Sequence, residues 1–527
     1  MPLPGGPPRL SWLGPGWTLP ALTGLLLGLS FPPSGLWPLP FVALVPLVTA
    51  IEGPGRSQPR SAARAGLGAG IVAWAMLVYW VPLAVAPVTP VPALFYALLV
   101  LLLAMVVALF GWLLWWMRRA VGVPLWLAVP VAWTGTEWLR AHLGPFSFPW
   151  LELGVSLAGR PHLAAMAELV GARGLSFWIA MVNGLVAAAL VATRGRRRPL
   201  LAVMAVVVVV PAGWGSWRVA TLETVPVARV AVFQPNLGRS TPTTAGAADT
   251  ALARLARLAA HETPGRVDMA VWPESMFPVD PRSDRGLADG IQTVVDAVGA
   301  PVLFGAYLDG EAAEDGRSVT YNGALVWRPG RGDAGVAYRK HRLVPGVETV
   351  PLMGPAGGEG GRFGGFTSGR RTEPPDWGSD LPRFAVLVCY ESIFSADARA
   401  GANAGADFLV NVTNDAWFGG DGGRTRTAGF QQHPAHLVLR AIELRLGAVR
   451  AANTGISFFV EPSGHITEAT PLFQEEVRTA TVRRMDGATV FARVGDVVGW
   501  GCAFVCAGVL LLPFRPRRRV SEAMPLN

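Results

Sequence analysis

What most limits the folds open to this chain is where its charges are missing. No Asp, Glu, Lys or Arg occurs in residues 10–51, 65–117, 120–136, 175–193, 199–217 or 497–514. A helix that crosses a bilayer needs roughly 20 mostly apolar residues. The first two stretches are long enough for two spans each, divided at Pro32-Pro33-Ser34-Gly35 and at residues 87–92, both turn-like. The expectation is seven spans before residue 217 and an eighth at the C-terminus. With 51% hydrophobic and 15% charged residues, the chain is neither wholly soluble nor disordered. Three cysteines in 527 residues exclude a disulfide framework.

The net charge of +9 invites a nucleic-acid reading, but the arginines argue against it. Arg9 precedes the first span, and Arg56, Arg60 and Arg64 lie between the second and third. Arg118 and Arg119 lie between the fourth and fifth, Arg194, Arg196, Arg197 and Arg198 between the sixth and seventh, and Arg515, Arg517, Arg518 and Arg519 after the eighth. With that span count every cluster falls on one side, which the positive-inside rule makes the cytoplasm. Both termini are then cytoplasmic, and no nucleic-acid partner is called for. The expected units are a membrane domain (1–217), an extracytoplasmic domain (218–496), a last span (497–514) and a basic tail (515–527). The first stretch lacks a small-residue cleavage site and leads into a second span, so it reads as a retained helix.

The outer block is patterned differently. Strands are expected at 227–233, 268–272, 302–307, 321–327, 383–389, 408–412 and 457–460, and helices at 247–262, 284–298, 395–404 and 436–446. Alternating strands and helices predict a layered α/β domain. Residues 353–382, rich in Gly and Pro, read as a long loop, either functional, as a lid would be, or disordered.

Three residues there carry chemistry. Of 45 cationic side chains, 44 are Arg, and Lys340 is the single Lys. Lys supplies a compact point charge where Arg supplies a planar fork. Cys389, the only thiol of the outer block, ends the apolar run 384–388 and is followed by Tyr390 and Glu391. Strand ends that open into turns commonly display nucleophiles. Glu274 follows Trp272-Pro273, where Pro stops the strand. Thiol chemistry needs a base to form the thiolate and a cation or donor to hold an oxyanion. One acid, one amine and one thiol suffice. The His residues show no metal-ligand spacing, and neither metal nor cofactor is called for.

Trp272-Pro273-Glu274-Ser275, Tyr338-Arg339-Lys340-His341-Arg342-Leu343-Val344-Pro345 and Cys389-Tyr390-Glu391 resemble the motifs of the carbon–nitrogen hydrolase (nitrilase) superfamily, with its Glu–Lys–Cys triad. Seven spans, an outer nitrilase-like domain and a final span narrow the resemblance to the apolipoprotein N-acyltransferase family of bacterial inner membranes. Supporting segments are Phe148-Pro149-Trp150, Gln234-Pro235-Asn236, Tyr321-Asn322, Asn414-Asp415-Ala416-Trp417-Phe418-Gly419 and Asn453-Thr454-Gly455. The resemblance implies an αββα sandwich, catalytic Glu274, Lys340 and Cys389, and supporting roles for Glu348, Tyr390 and Glu391. It also implies substrate contacts at Phe148, Trp150, Asn322, Asn414 and Trp417. The implied reaction moves an acyl chain from a phospholipid, phosphatidylethanolamine, through a thioester to the amine of a diacylglyceryl-Cys lipoprotein. The chain is expected to act as a monomer. The sequence departs from the family pattern twice: Gly346-Val347 stands where Phe-Gly is usual, and no Trp lies between Leu237 and Glu262. The alternative is a membrane-anchored amidase that gives the acyl group to water.

Overall fold

The computed structural model describes residues 16–53, 58–86, 89–238, 245–261, 267–311, 319–349, 365–370, 381–419 and 425–512. Its N-terminal part is helical: α1 (Thr18–Ser30), a 3-10 turn (Leu39–Phe41), α2 (Val45–Glu52), α3 (Pro59–Leu77), α4 (Val81–Val85), α5 (Pro92–Trp116), α6 (Leu125–Ala141), α7 (Pro161–Ala164), α8 (Ala167–Val191) and α9 (Arg194–Ala220). Three helical segments among the described residues are long and apolar enough to cross a membrane: Pro92–Val121, Ala167–Val191 and Arg194–Ala220. Thr18–Ser30, Leu39–Glu52 and Val497–Leu511 are apolar but shorter. The expected second span is broken up, because Pro38, Pro40 and Pro46 interrupt its backbone bonding and leave one 3-10 turn and one eight-residue helix.

The arginines expected between the sixth and seventh spans, Arg194, Arg196, Arg197 and Arg198, form the first turns of α9, with only Ala192 and Thr193 between α8 and α9. The helices α6 and α8 also outrun their charge-free stretches and carry buried ions. Glu137 accepts from the Trp133 indole (2.8 Å) and from Leu153 N–H (2.7 Å), and Arg140 donates to the Trp150 carbonyl (2.6 Å). Arg173 pairs with Glu152 (2.6 Å), and Glu168 with Arg218 (2.7 Å) and Arg445 (2.5 Å). Each of these buried groups keeps at least one hydrogen-bond or ion-pair partner, as burial demands.

Small residues bring α3 against α5: Ala62, Ala65, Gly66, Ala69, Gly70 and Ala73 are all buried. Such faces allow the close backbone approach on which helix packing in lipid depends. By contrast, α9 buries only Gly215 and exposes Val206, Val209 and Val210, as a lipid-facing helix should.

The α/β part contains β1 (Val225–Gln234), α10 (Ala245–His261), β2 (Met269–Val271), α11 (Arg285–Val298), β3 (Val302–Asp309), β4 (Thr320–Arg328), β5 (Gly332–Arg339), β6 (Phe384–Val388), α12 (Ser395–Asn403), β7 (Phe408–Thr413), α13 (Gly429–Leu444), β8 (Ala448–Ala452), β9 (Phe458–Val460), β10 (Ile466–Thr467) and β11 (Glu476–Arg484). Helices α14 (Val490–Val494) and α15 (Val497–Leu511) follow. The strands form two sheets, ordered β11-β1-β2-β3-β4-β5 and β10-β9-β8-β7-β6. β1, β2 and β3 run parallel, as do β6, β7 and β8. Parallel neighbours need long crossovers, which α10, α11, α12 and α13 supply.

Period-two alternation builds the layers. Val230, Val232, Val386, Val388, Val410 and Val412 meet between the sheets. Ala231 and Phe233 instead face α10 and α11. Ala385, Leu387 and Leu409 face the opposite way, into one continuous core shared with α13 and the N-terminal helices. α13 therefore lies between a sheet and the membrane helices. It begins at Gly429, seven residues before the expected 436, because Pro434 is accommodated inside the helix and does not break it.

Candidate active site

The carboxyl ends of the parallel strands share one edge of the sandwich, the usual ligand side of open α/β sheets. At that edge β1 ends in Gln234, β2 leads to Glu274, β6 to Cys389, β7 to Asn414 and β8 to Asn453, while β5 ends next to Lys340. Three of these turns use left-handed backbone at non-glycine residues: Asn236 (φ 52°), Ser275 (φ 53°) and Cys389 (φ 49°). Each costs about 1–2 kcal/mol, which the packed strands beneath must hold. The Glu274 turn also needs a bare neighbour. A Cβ on Gly305 of β3 would lie 2.5 Å from Glu274 Cα.

Glu274 Oε1 accepts from Lys340 Nζ (3.1 Å) and Asn322 Nδ2 (2.8 Å), and its Oε2 accepts from Asn414 N–H (2.9 Å). Lys340, 1% exposed, also donates to Glu348 Oε1 (2.9 Å). Asn322 ties the two carboxylates together by donating to Glu348 as well (2.9 Å). Burial works against the Lys340 charge, but Glu274 and Glu348 outweigh it and hold the ammonium well above its usual range. Burial, then the Glu274 charge, push the Cys389 thiol upward, while Lys340 pulls it down. The resting nucleophile is therefore a thiol, and attack requires a base at hand. Tyr307, raised to about 12 by burial and then by Glu274 and Glu348, stays protonated nearby.

Glu391, fully buried, locks two segments together. Its Oε1 accepts from Tyr338 Oη (2.9 Å), His341 N–H (2.9 Å) and Arg342 N–H (3.1 Å), and its Oε2 from Val388 N–H (2.8 Å). The residue before Cys389 is thereby fixed to the residues after Lys340. His341 Nδ1 and Nε2 reach Glu391 (2.9 Å) and Asp397 (3.3 Å). Burial lowers the His341 pKa, but these two carboxylates raise it to about 9.

A second buried set supports Cys389 from β7, α13 and β8. Asp415 accepts from Arg450 (2.7 Å), Thr413 Oγ1 (3.0 Å) and His433 Nδ1 (3.2 Å). His433 Nε2 lies 3.0 Å from the Cys389 carbonyl and 3.1 Å from Ser392 Oγ. Burial raises the Asp415 pKa, yet Arg450 and His433 leave it well below the usual carboxylate range. Asp415 was visible in the sequence only as part of a motif, and His433 and Arg450 were not singled out. The available signal was Arg450 itself, a charge in the middle of the apolar run Ala448–Ala452.

The site borders the N-terminal helical part. Tyr390 Oη donates to the Ser147 carbonyl (2.7 Å) in the loop after α6, and Phe148 stacks on both Trp150 (5.8 Å) and Tyr390 (6.3 Å). The indoles of Trp80 (3.0 Å) and Trp150 (3.1 Å) both donate to Gln432 Oε1 on α13.

Glu274, Lys340, Cys389, Glu348, Tyr390 and Glu391 thus gather at one edge. Asn322 and Asn414 belong to the same polar set, with Asn322 almost wholly buried. Phe148 and Trp150 lie in the seam with the membrane helices. Trp417 sits in the 3-10 turn Asp415–Phe418 beyond β7. Residues 239–244, in the Trp-free stretch after Leu237, and most of 353–382 lie outside the described residues. Within the latter, Gly369 N–H donates to the Lys340 carbonyl (2.8 Å).

Comparison with known proteins gives two family matches. The apolipoprotein N-acyltransferase N-terminal domain matches residues 23–185, and the carbon-nitrogen hydrolase family matches residues 229–490. Curated relatives called apolipoprotein N-acyltransferase include one from Geobacter metallireducens, 34% identical over 95% of this chain and 95% of that protein. Another, from Chlorobaculum tepidum, is 30% identical over 95% of this chain and 97% of the relative. Among solved structures, an amidase of the nitrilase superfamily from Nesterenkonia AN1 aligns with 16% identity and TM-score 0.38, over 52% of this chain and 95% of that one. That structural likeness is too loose to carry an argument.

Proposed function

The chain belongs to the apolipoprotein N-acyltransferase family, and from that premise we propose that it transfers an acyl chain from a membrane phospholipid to the N-terminal amine of diacylglyceryl-Cys lipoproteins. The observation that carries this reading is the position of Cys389. It follows β6 at the same strand-end edge as Glu274 and Lys340, tied by Glu391 to the residues after Lys340, and its neighbour Tyr390 is bonded to the loop after α6. A thiol meant for small soluble amides has no need of that seam.

In the mechanism, Glu274 takes the Cys389 proton and the sulfur attacks the ester carbonyl of the donor, phosphatidylethanolamine. The developing oxyanion is held by the Lys340 ammonium. As the S–C bond forms and the C–O bond breaks, Glu274 returns its proton to the leaving lysophospholipid alkoxide. The lipoprotein amine then attacks the thioester, the C–S bond breaks, and Glu274 carries the amine's proton to the departing thiolate. Glu348 and Asn322 keep Lys340 and Glu274 in register, and Glu391 fixes the Cys389 turn. Both substrates are lipids, and lifting them from the bilayer would cost about 0.8 kcal/mol per CH₂. A site at the membrane face avoids that cost.

We place the sandwich outside the inner membrane, with eight spanning segments and a monomeric chain. Two features support the orientation. The arginine-rich end of the bundle, where Arg118 pairs with Glu52 (2.9 Å), lies at the α2–α3 and α5–α6 turns, whereas Tyr79, Trp80 and Ser147 meet the sandwich. The Glu52 end therefore falls on the cytoplasmic side. A reporter fused after Arg197 should then read cytoplasmic and one at Gly310 external.

The test of the reaction is mass spectrometry of Cys389 after mixing the enzyme with phospholipid. The expected adduct is a thioester that persists in buffer and clears when a diacylglyceryl-Cys peptide is added. Clearance by water alone, unaffected by the peptide, would establish the amidase reading in its place.

A further inference from the structure

The departure at Gly346-Val347 lies in a turn that connects the membrane helices to Lys340. Residues 344–349 close tightly on themselves: Glu348 N–H (2.9 Å) and Val347 N–H (3.2 Å) donate to the Val344 carbonyl, and Gly346 N–H donates to the Thr349 carbonyl (2.8 Å). Glu348 sits at the end of that turn. Its Oε2 accepts from Val344 N–H (2.8 Å), and its Oε1 holds Lys340 Nζ (2.9 Å). The tip of the turn rests on a membrane helix. Gly346 has φ +75°, and a Cβ built there would lie 2.5 Å from Phe95 Cε2 and 2.9 Å from Phe95 Cζ. The ring thus lies flush against bare backbone, and any side chain at 346 would have to displace it. Val344 and Val347 pack into the same apolar cluster as Phe95. The next residue of α5, Tyr96, donates to the Ala75 carbonyl of α3 (2.7 Å), so the helix end that carries the ring is itself braced.

We infer that Phe95 is a positioning residue for the reaction: seated on Gly346, it sets the 344–349 turn and, through Glu348, the place of the Lys340 ammonium beside Cys389. The inference rests on the roles proposed above for Lys340 and Cys389. Its logic is geometric. Glu348 and Glu274 hold Lys340 from two sides, and Glu348 is the one carried on a short turn whose tip leans on Phe95. If the tip of the turn is released, Glu348 can swing and draw Lys340 away from the sulfur. A membrane helix thereby takes part in the chemistry without touching substrate.

The test reads the Cys389 thiol directly, in full-length enzyme in nanodiscs with Cys502→Ser and Cys506→Ser removing the other thiols. Because the Lys340 charge favours the thiolate, Phe95→Ala should lower the Cys389 alkylation rate by iodoacetamide about threefold or more across a profile from about pH 7 to 9. It should also slow single-turnover acylation about tenfold. Phe95→Tyr should restore both, Phe95→Leu should fall between, and Leu94→Ala, at the exposed neighbour, should change neither. If Phe95→Ala fails to insert, the Leu variant decides the matter by its alkylation rate. Gly346→Ala adds a cycle: its left-handed penalty is the same with or without the ring, so it cancels, and the remaining coupling reports the contact. Gly346→Ala should therefore cost clearly less in the Phe95→Ala background. An unmoved alkylation profile, or fully independent effects in the cycle, overturns the inference. Lys340→Met separates the two readings. If it too leaves the profile unmoved, the proposed role of Lys340 falls; if it lowers the profile while Phe95→Ala does not, only the role of Phe95 falls.

Discussion

Glu274, Lys340 and Glu348 on one side of Cys389, and Asp415, Arg450 and His433 on the other, are comparably buried but differently closed. In the first set two carboxylates share one ammonium, and the Lys340 field extends to the sulfur. In the second, Arg450 pairs with Asp415 and bonds Asn411, and Asp415 is further held by Thr413 and His433. Through His433 this set bonds the turn itself, at the Cys389 carbonyl, and it meets the thiol only at its margin, through the Thr413 hydroxyl and the more distant Asp415 charge. The difference separates a charge set aimed at the reacting atom from one that holds the shelf on which that atom stands. Loss of the first should remove rate and spare the fold; loss of the second should cost stability first.

The largest effect should come from Lys340→Arg. The charge survives, but the longer planar fork cannot occupy the pocket between Glu274 and Glu348, and acylation should fall by about 100-fold or more at nearly unchanged thermal stability. A loss under tenfold would make Lys340 a structural cation and erase the contrast. Asp415→Asn should reverse the pattern. It leaves the buried Arg450 guanidinium without its counter-charge, at a cost of about 3 kcal/mol in stability, while single-turnover acylation of the folded fraction falls less than tenfold. Calorimetry alongside acylation checks both halves.

His341 gives a smaller effect with a definite sign. Its pKa rises from 6.5 to about 9 on folding, so its contribution to stability is complete below about pH 6.5 and is lost as pH rises through 9. Thermal midpoints of the native chain should sag across that window, and those of His341→Gln should not. The smallest effect is expected at Cys502→Ser and Cys506→Ser. Both thiols are buried in α15, so activity should remain near native, in contrast to Cys389→Ser, where an alcohol would be poorly matched to a carboxylate base.

Much of this was legible from the chain because the chemistry sits at strand ends. Glu274 and Cys389 each follow an apolar run that stops abruptly, and Lys340 stands alone among arginines. The strands β5, β8 and β11 escaped notice for physical reasons. β5 contains two glycines and is only partly buried, β8 carries Arg450 at its centre, and β11 is an edge strand with charges at Glu476, Arg478, Arg483 and Arg484. Edge strands are kept polar, which hides the period-two signal. The ions of the helical part were hidden in another way. Glu137, Arg140, Glu168 and Arg173 border the charge-free stretches, and no local pattern tells a helix end from a loop there. Their partners, among them Glu152 and Arg445, come from other parts of the chain.

The left-handed backbone at Cys389 inverts an everyday rule of protein engineering. Within strands and helices, replacing a residue by glycine weakens the fold more than replacing it by alanine. At φ 49° the order should turn around, because alanine inherits the steric conflict of its Cβ while glycine sheds it. A Cys389→Gly chain should outlast Cys389→Ala on heating, although both are inert. The fold is thus held slightly short of its own optimum by the residue that gives it a use, and the sturdiest version of this scaffold is one that can no longer act.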